Sequence, residues 1–135
     1  MLPNIEQDLH VDAPVERVWQ VVTDPAYLAQ WFGQRADIDL RPGGAMTLGW
    51  VDFGDVHGVV ERVEPPTRFA FRWNREFGVP FAPADSTLVE ITLSAEDGGT
   101  RLRLVESGFA EENHRKEHAE GWIAELGELK ELTER

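Results

Sequence analysis

Apolar and polar residues alternate strictly from Ile5 to Asp12. Ile5, Gln7, Leu9 and Val11 fall on one side, and Glu6, Asp8, His10 and Asp12 on the other. That period of two predicts a half-buried strand. The period then lengthens: Val15, Val18, Trp19 and Val22 recur at helical spacing. Asp12-Ala13-Pro14 precedes them, an acidic cap candidate with proline in the first turn. Thr23-Asp24-Pro25 breaks this helix and caps a second, in which Tyr27, Leu28, Trp31 and Phe32 repeat the stripe until Gly33 ends it.

From Ala36 to Phe109 the period returns to two. Ala36, Ile38 and Leu40 alternate with Asp37 and Asp39, and Arg41-Pro42-Gly43-Gly44 signals a turn. Met46, Leu48 and Trp50 form the next inward set, and Asp52-Phe53-Gly54-Asp55 reads as a hairpin loop. A strand from His57 to Val63 stops at Pro65-Pro66, and Phe69, Phe71 and Trp73 then point inward. Residues 75–86 are irregular, with Pro80 and Pro83 among the apolar Phe77, Val79 and Phe81, and read as a flap. Val89, Ile91 and Leu93 lead to Glu96-Asp97-Gly98-Gly99, a hairpin signal, after which Leu102 and Leu104 alternate with Arg101 and Arg103. The outward set Arg68, Arg72, Glu90, Arg101 and Arg103 predicts a solvated face with cross-strand charge pairs. A last helix runs from Glu111 to about Glu134, with Ala119, Trp122, Ile123, Leu126, Leu129 and Leu132 along one side.

These elements predict one α+β domain over residues 1–135, in the order β-α-α-β6-α. A curved antiparallel sheet is expected to wrap a long C-terminal helix. The length suits one core, and 41% apolar residues are a globular value. No apolar run is long enough to span a bilayer, and the N-terminus lacks the basic start and apolar run of a signal peptide, so a cytoplasmic setting is expected. The absence of cysteine excludes disulfides, thiol catalysis and thiolate metal sites. A net charge of −12 argues against nucleic acid and anionic membrane as partners.

The element order resembles the START/Bet v1-like (SRPBCC) superfamily, whose helix-grip fold runs in this sequence. Val11-Asp12-Ala13-Pro14-Val15-Glu16-Arg17-Val18-Trp19 is similar to its opening, and the stretch from Asp24 to Phe32 to its second helix. Arg41-Pro42-Gly43-Gly44, the stretch from Gly58 to Pro66, Phe69-Ala70-Phe71-Arg72-Trp73 and the ending from Gly121 to Leu126 resemble the bacterial Hsp90-ATPase-activator-like branch. The resemblance implies a cavity between sheet and last helix that takes lipids, polyketides, hormones or other apolar molecules; some members are cyclases or hydroxylase components. It implies no covalent cofactor. The eukaryotic cochaperone that gives the branch its name carries an additional N-terminal domain, which this sequence lacks, so Hsp90 is not expected as a partner.

The expected ligand is therefore a small hydrophobic or aromatic molecule. The cavity candidates are Trp31, Met46, Trp50, Phe71, Trp73, Trp122 and Leu126, with Phe77 and Phe81 on the flap. The same side chains would also fill an ordinary core. His57 and Glu106 are the polar candidates. His57 is either a ligand contact or a surface histidine, because strand parity around Gly58 is ambiguous. Glu106 shares the parity of Leu102 and Leu104; pointing inward, it must find a partner or have a raised pKa, and at a bulge it would reach solvent. Glu111, His114 and His118 share a helix face, but no flanking motif accompanies them and no metal is expected. No catalytic residue is assigned. An enzyme of the cyclase or hydrolase type is the second reading, and a chaperone-related interaction module the third. Homodimerisation through an edge strand or the flap is left open.

Overall fold

The structure, a computed structural model, describes residues 2–135; Met1, the first position of the expected 1–135 domain, lies outside the described residues. Strand β1 (Ile5–Val11) is followed by helices α1 (Val15–Thr23) and α2 (Pro25–Trp31). Six strands come next: β2 (Arg35–Ile38), β3 (Ala45–Trp50), β4 (Gly54–Glu64), β5 (Arg68–Asn74), β6 (Ser86–Glu96) and β7 (Gly99–Ser107). Helix α3 (Glu112–Glu134) closes the chain, and the whole is the α+β helix-grip order. The seven strands form one antiparallel sheet in the order β1-β7-β6-β5-β4-β3-β2.

Local chemistry sets the connections. Asp24 caps α2, its carboxylate accepting from the Ala26 N–H at 2.9 Å, and Pro25 supplies the first turn. Asp12 does not cap α1. Its carboxylate is taken by His10, and its own N–H donates to Glu134 at 2.7 Å, so Pro14 occupies the cap position without a side-chain bond. The β6–β7 turn has Asp97 at φ 46° and Gly98 at φ 78°, the paired left-handed residues whose twist suits a tight hairpin. A bulge between Val60 and Arg62 bends β4. Gly58 settles the parity of that strand: a Cβ there would stand 2.3 Å from the Arg72 carbonyl oxygen. Val56, Gly58 and Val60 are buried, and His57 is on the other face beside Thr47.

The concave face of the sheet packs on all three helices, with Val22, Leu28, Phe71, Leu104 and Leu129 almost fully buried between them. Each such side chain stabilises by roughly 1.5–3 kcal/mol. The C-terminal end of α3 is pinned where Lys130 Nζ donates to the His10 carbonyl at 2.6 Å and Glu134 receives the Asp12 N–H. Two expected inward residues are not inward: Leu40 lies beyond the end of β2 and is 39% exposed, and Ile123 on α3 is 66% exposed. The outer face carries ion pairs made by three of the residues expected there, with partners from outside that set. Arg101 and Arg103 pair with Asp8 and Glu6 of β1, and Arg72 pairs with Glu61.

Candidate functional site

The ends of β3 and β5, the β3–β4 turn, the loop after β5 and the first half of α3 enclose a half-open cavity of about 440 Å³. Aromatic rings make most of its wall: Trp50, Phe53, Trp73, Phe77 and Trp122. They contact one another in a chain, with Trp50–Trp73 at 6.3 Å, Trp73–Trp122 at 5.9 Å and Trp50–Phe77 at 6.0 Å between centroids. Five polar side chains join them. Asn74 is buried and holds the flap, donating to the Val79 and Pro80 carbonyls and accepting from the Ala82 N–H. Arg75, Glu117, His118 and Glu125 complete the lining.

Behind the aromatic wall lies Glu106. Strand β7 carries it inward beside Leu102 and Leu104, and it is fully buried. Four donors converge on its carboxylate: Trp73 Nε1 at 2.9 Å, Trp122 Nε1 at 2.8 Å, Thr87 Oγ1 at 2.6 Å and His118 Nδ1 at 2.8 Å. Burial pushes this carboxyl up, but the bonds from His118, Thr87 and Trp122 outweigh it and hold Glu106 below its ordinary value. An ionised carboxylate only accepts, so His118 Nδ1 carries the proton it donates, and Nε2 is left as the ring's second nitrogen. No protein partner takes Nε2 among the described residues, and His118 lines the cavity.

Glu125 is the opposite case. It lies on the same helix face as His118 and Trp122, and its Oε2 is buried with no hydrogen-bond partner. Burial first, then the neighbouring Glu128 and Glu106, push its carboxyl up to about 8. At neutral pH it is a protonated acid whose O–H has no acceptor in the protein. It also borders a second, more polar groove of about 400 Å³ that Trp31 lines.

The expected site residues are distributed over several places. Trp50, Trp73, Phe77 and Trp122 line the cavity together, with Glu106 bonded to two of them. Met46, Phe71 and Leu126 are buried in the core. Trp31 is 2% exposed and donates Nε1–H to the Val21 carbonyl. His57 and Phe81 border a different depression with Met46, formed by β3, β4 and the loop after β5, and His57 pairs with Thr47 at 3.0 Å. Glu111, His114 and His118 share no common centre. Glu111 pairs with Arg75, and His118 binds Glu106. His114 packs edge-on against Phe109, with burial and the nearby His118 lowering its pKa. The sequence reading missed Phe53, Val56, Asn74, Arg75, Glu117, His118, Gly121 and Glu125 as lining. For Glu125 a signal existed, since it falls between His118, Trp122 and Leu129 at steps of four, three and four.

A profile of the family described as Activator of Hsp90 ATPase homolog 1-like protein matches residues 12–134. Among solved structures, CalU16 from Micromonospora echinospora is 33% identical, over 96% of this chain and 75% of that one, with a TM-score of 0.79. DynU16, a protein in the dynemicin biosynthetic locus, is 27% identical over 97% of this chain and 47% of its own, with a TM-score of 0.82. The Aha1 dimer from Colwellia psychrerythraea shares the fold at 18% identity and a TM-score of 0.83, over 98% of this chain and 97% of that one. No protein of curated function matches the sequence significantly.

Proposed function

The chain belongs to the Activator of Hsp90 ATPase homolog 1-like family, and on that premise we propose that it binds a small aromatic or otherwise apolar molecule in the cavity between the sheet and α3. The observation that carries this reading is the wall of Trp50, Trp73 and Trp122 around an open volume of about 440 Å³. A core would have filled that space; ligand pockets run to roughly 300–1,000 Å³ with mostly apolar walls and a few placed polar groups. Phe53 and Phe77, 71% and 39% exposed with centroids 6.1 Å apart, form the lip across which the molecule enters. The likeness to DynU16, from a biosynthetic locus, supports a small molecule as partner. A cytoplasmic setting goes with this reading. Among the described residues no helix is long and apolar enough to cross a membrane. Hsp90 is not proposed as a partner, because the outer strand faces carry ion pairs in place of an apolar docking patch.

Native mass spectrometry of gently purified protein, followed by denaturing extraction, tests the proposal directly. A discrete bound mass is expected, with indole fluorescence changing when the molecule is removed and returned. A bare protein whose fluorescence is indifferent to a panel of fused-ring aromatics would sink it.

A further inference from the structure

Two groups on the cavity wall carry polar atoms that the fold leaves unused. His118 is fixed by Glu106 through Nδ1 and leaves Nε2 without a protein partner, and Glu125 presents a carboxyl whose buried Oε2 is unpartnered. They are seven residues apart on α3, two turns or roughly 10 Å along the axis. Between them on the same face stands Gly121, also in the cavity wall. A glycine inside a helix costs about 1 kcal/mol relative to alanine. Here it leaves room: a Cβ at Gly121 would meet Glu125 Oε1 at 3.6 Å, so the carboxyl leans back over the glycine toward His118. A basic nitrogen and a carboxylic acid thus line one aromatic-walled space, with a glycine between them on the helix.

We propose that the protein catalyses keto–enol tautomerisation of an aromatic ketone held in this cavity, with His118 as the base and Glu125 as the acid. The inference rests on the binding reading above and adds a reaction to it. His118 Nε2 takes a proton from the carbon next to the carbonyl, and that C–H electron pair becomes the new C=C bond. The carbonyl π pair takes the proton of Glu125, giving enol, carboxylate and imidazolium. The return step delivers the imidazolium proton to carbon and the enol proton to Glu125, so no oxidant, reductant or co-reactant is consumed. Glu106 is a positioning residue: it fixes the ring's tautomer and faces the imidazolium with a full negative charge. The charged groups around Glu125 are Glu117, His118 and Glu128 on α3, Glu106 on β7, Arg75 on the loop after β5 and Asp52 on the β3–β4 turn.

The test uses 2-tetralone, a fused-ring ketone, in deuterated buffer. Proton NMR follows exchange at the carbons beside the carbonyl, and indole fluorescence follows binding in the same samples. Exchange above the buffer rate is expected. At saturating ketone it should fall about 100-fold in His118→Asn and at least 10-fold in Glu125→Gln. It should also fall as pH rises through about 8, where Glu125 loses its proton, and Glu125→Gln should abolish that fall. Circular dichroism checks that both variants fold. Binding without exchange above buffer overturns the reaction and leaves the binding reading standing. Exchange that survives both substitutions overturns the assignment of the two residues. Failure of 2-tetralone and a panel of related ketones to bind removes both readings.

Discussion

The surroundings of Glu106 and of Glu125 are two versions of one problem, a carboxyl carried into the interior against the same helix. Around Glu106 the chain supplies four donors from β5, β6 and α3, and the group stays ionised although fully buried. Around Glu125 it supplies none to Oε2, and two further carboxyls stand nearby, so the proton stays on. Burial acts on both in the same direction; the count of donors decides the outcome. The first arrangement is finished without a ligand. The second is finished only when something brings an acceptor into the cavity.

The comparison breaks hardest at Glu106. Glu106→Ala leaves two indoles, a hydroxyl and an imidazole without their acceptor, and urea denaturation at pH 7 should show a loss of about 3 kcal/mol or more. Because the folded pKa of Glu106 lies below its ordinary value, this stabilisation is present above the unfolded pKa and is lost as pH falls through the folded one. The wild-type advantage over Glu106→Ala should therefore shrink toward the acid end. Glu125 has the opposite sign. Its folded pKa of about 8 lies above the unfolded value near 4.5, so the folded state holds the extra proton between them and stability declines as pH rises through that window. Glu125→Gln should remove the decline, making the variant more stable at pH 9 by roughly 1–3 kcal/mol and little changed at pH 4, read from melting curves at both pH values. Gly121→Ala sharpens the contrast from the backbone side. The helix should gain up to about 1 kcal/mol, while affinity for a cavity ligand falls because the new methyl enters the gap. The smallest effect is expected at Asp8, a carboxylate with Arg101 and Arg103 as partners but on the wet face. Asp8→Asn should cost less than about 1 kcal/mol in the same urea assay, and still less at high salt.

Alternation and turn chemistry carried the sheet: the inward parity of Phe69, Phe71, Trp73, Leu102 and Leu104 is legible from spacing alone, and so is the Asp97-Gly98 turn. Parity also placed Glu106 inward and posed the choice between a partner and a raised pKa. It could not say which, because the donors come from Trp73, Thr87, His118 and Trp122, as far as 33 positions away in sequence. His57 was ambiguous because the constraint on β4 is a backbone contact at Gly58, which leaves no mark in hydropathy. On α3, expecting apolar residues inward put Ile123 on the buried side and passed over Glu125. Trp122 sets the facing of that turn, and Ile123, one residue on, is rotated about 100° toward water. Asp12 had the composition and position of a cap, yet its N–H and carboxylate were claimed by Glu134 and His10.

The pair formed by exposed Ile123 and inward Glu125 has a meaning for protein engineering. Ordinary rules for thermostabilising a helix would direct Ile123 to a charged residue and Glu125 to leucine. Both changes would be rewarded in a melting assay, and the second would close the space that His118, Gly121 and Trp122 border. Selection for stability alone would therefore erase the cavity, and α3 as it stands marks the point where open space and robustness pull against each other.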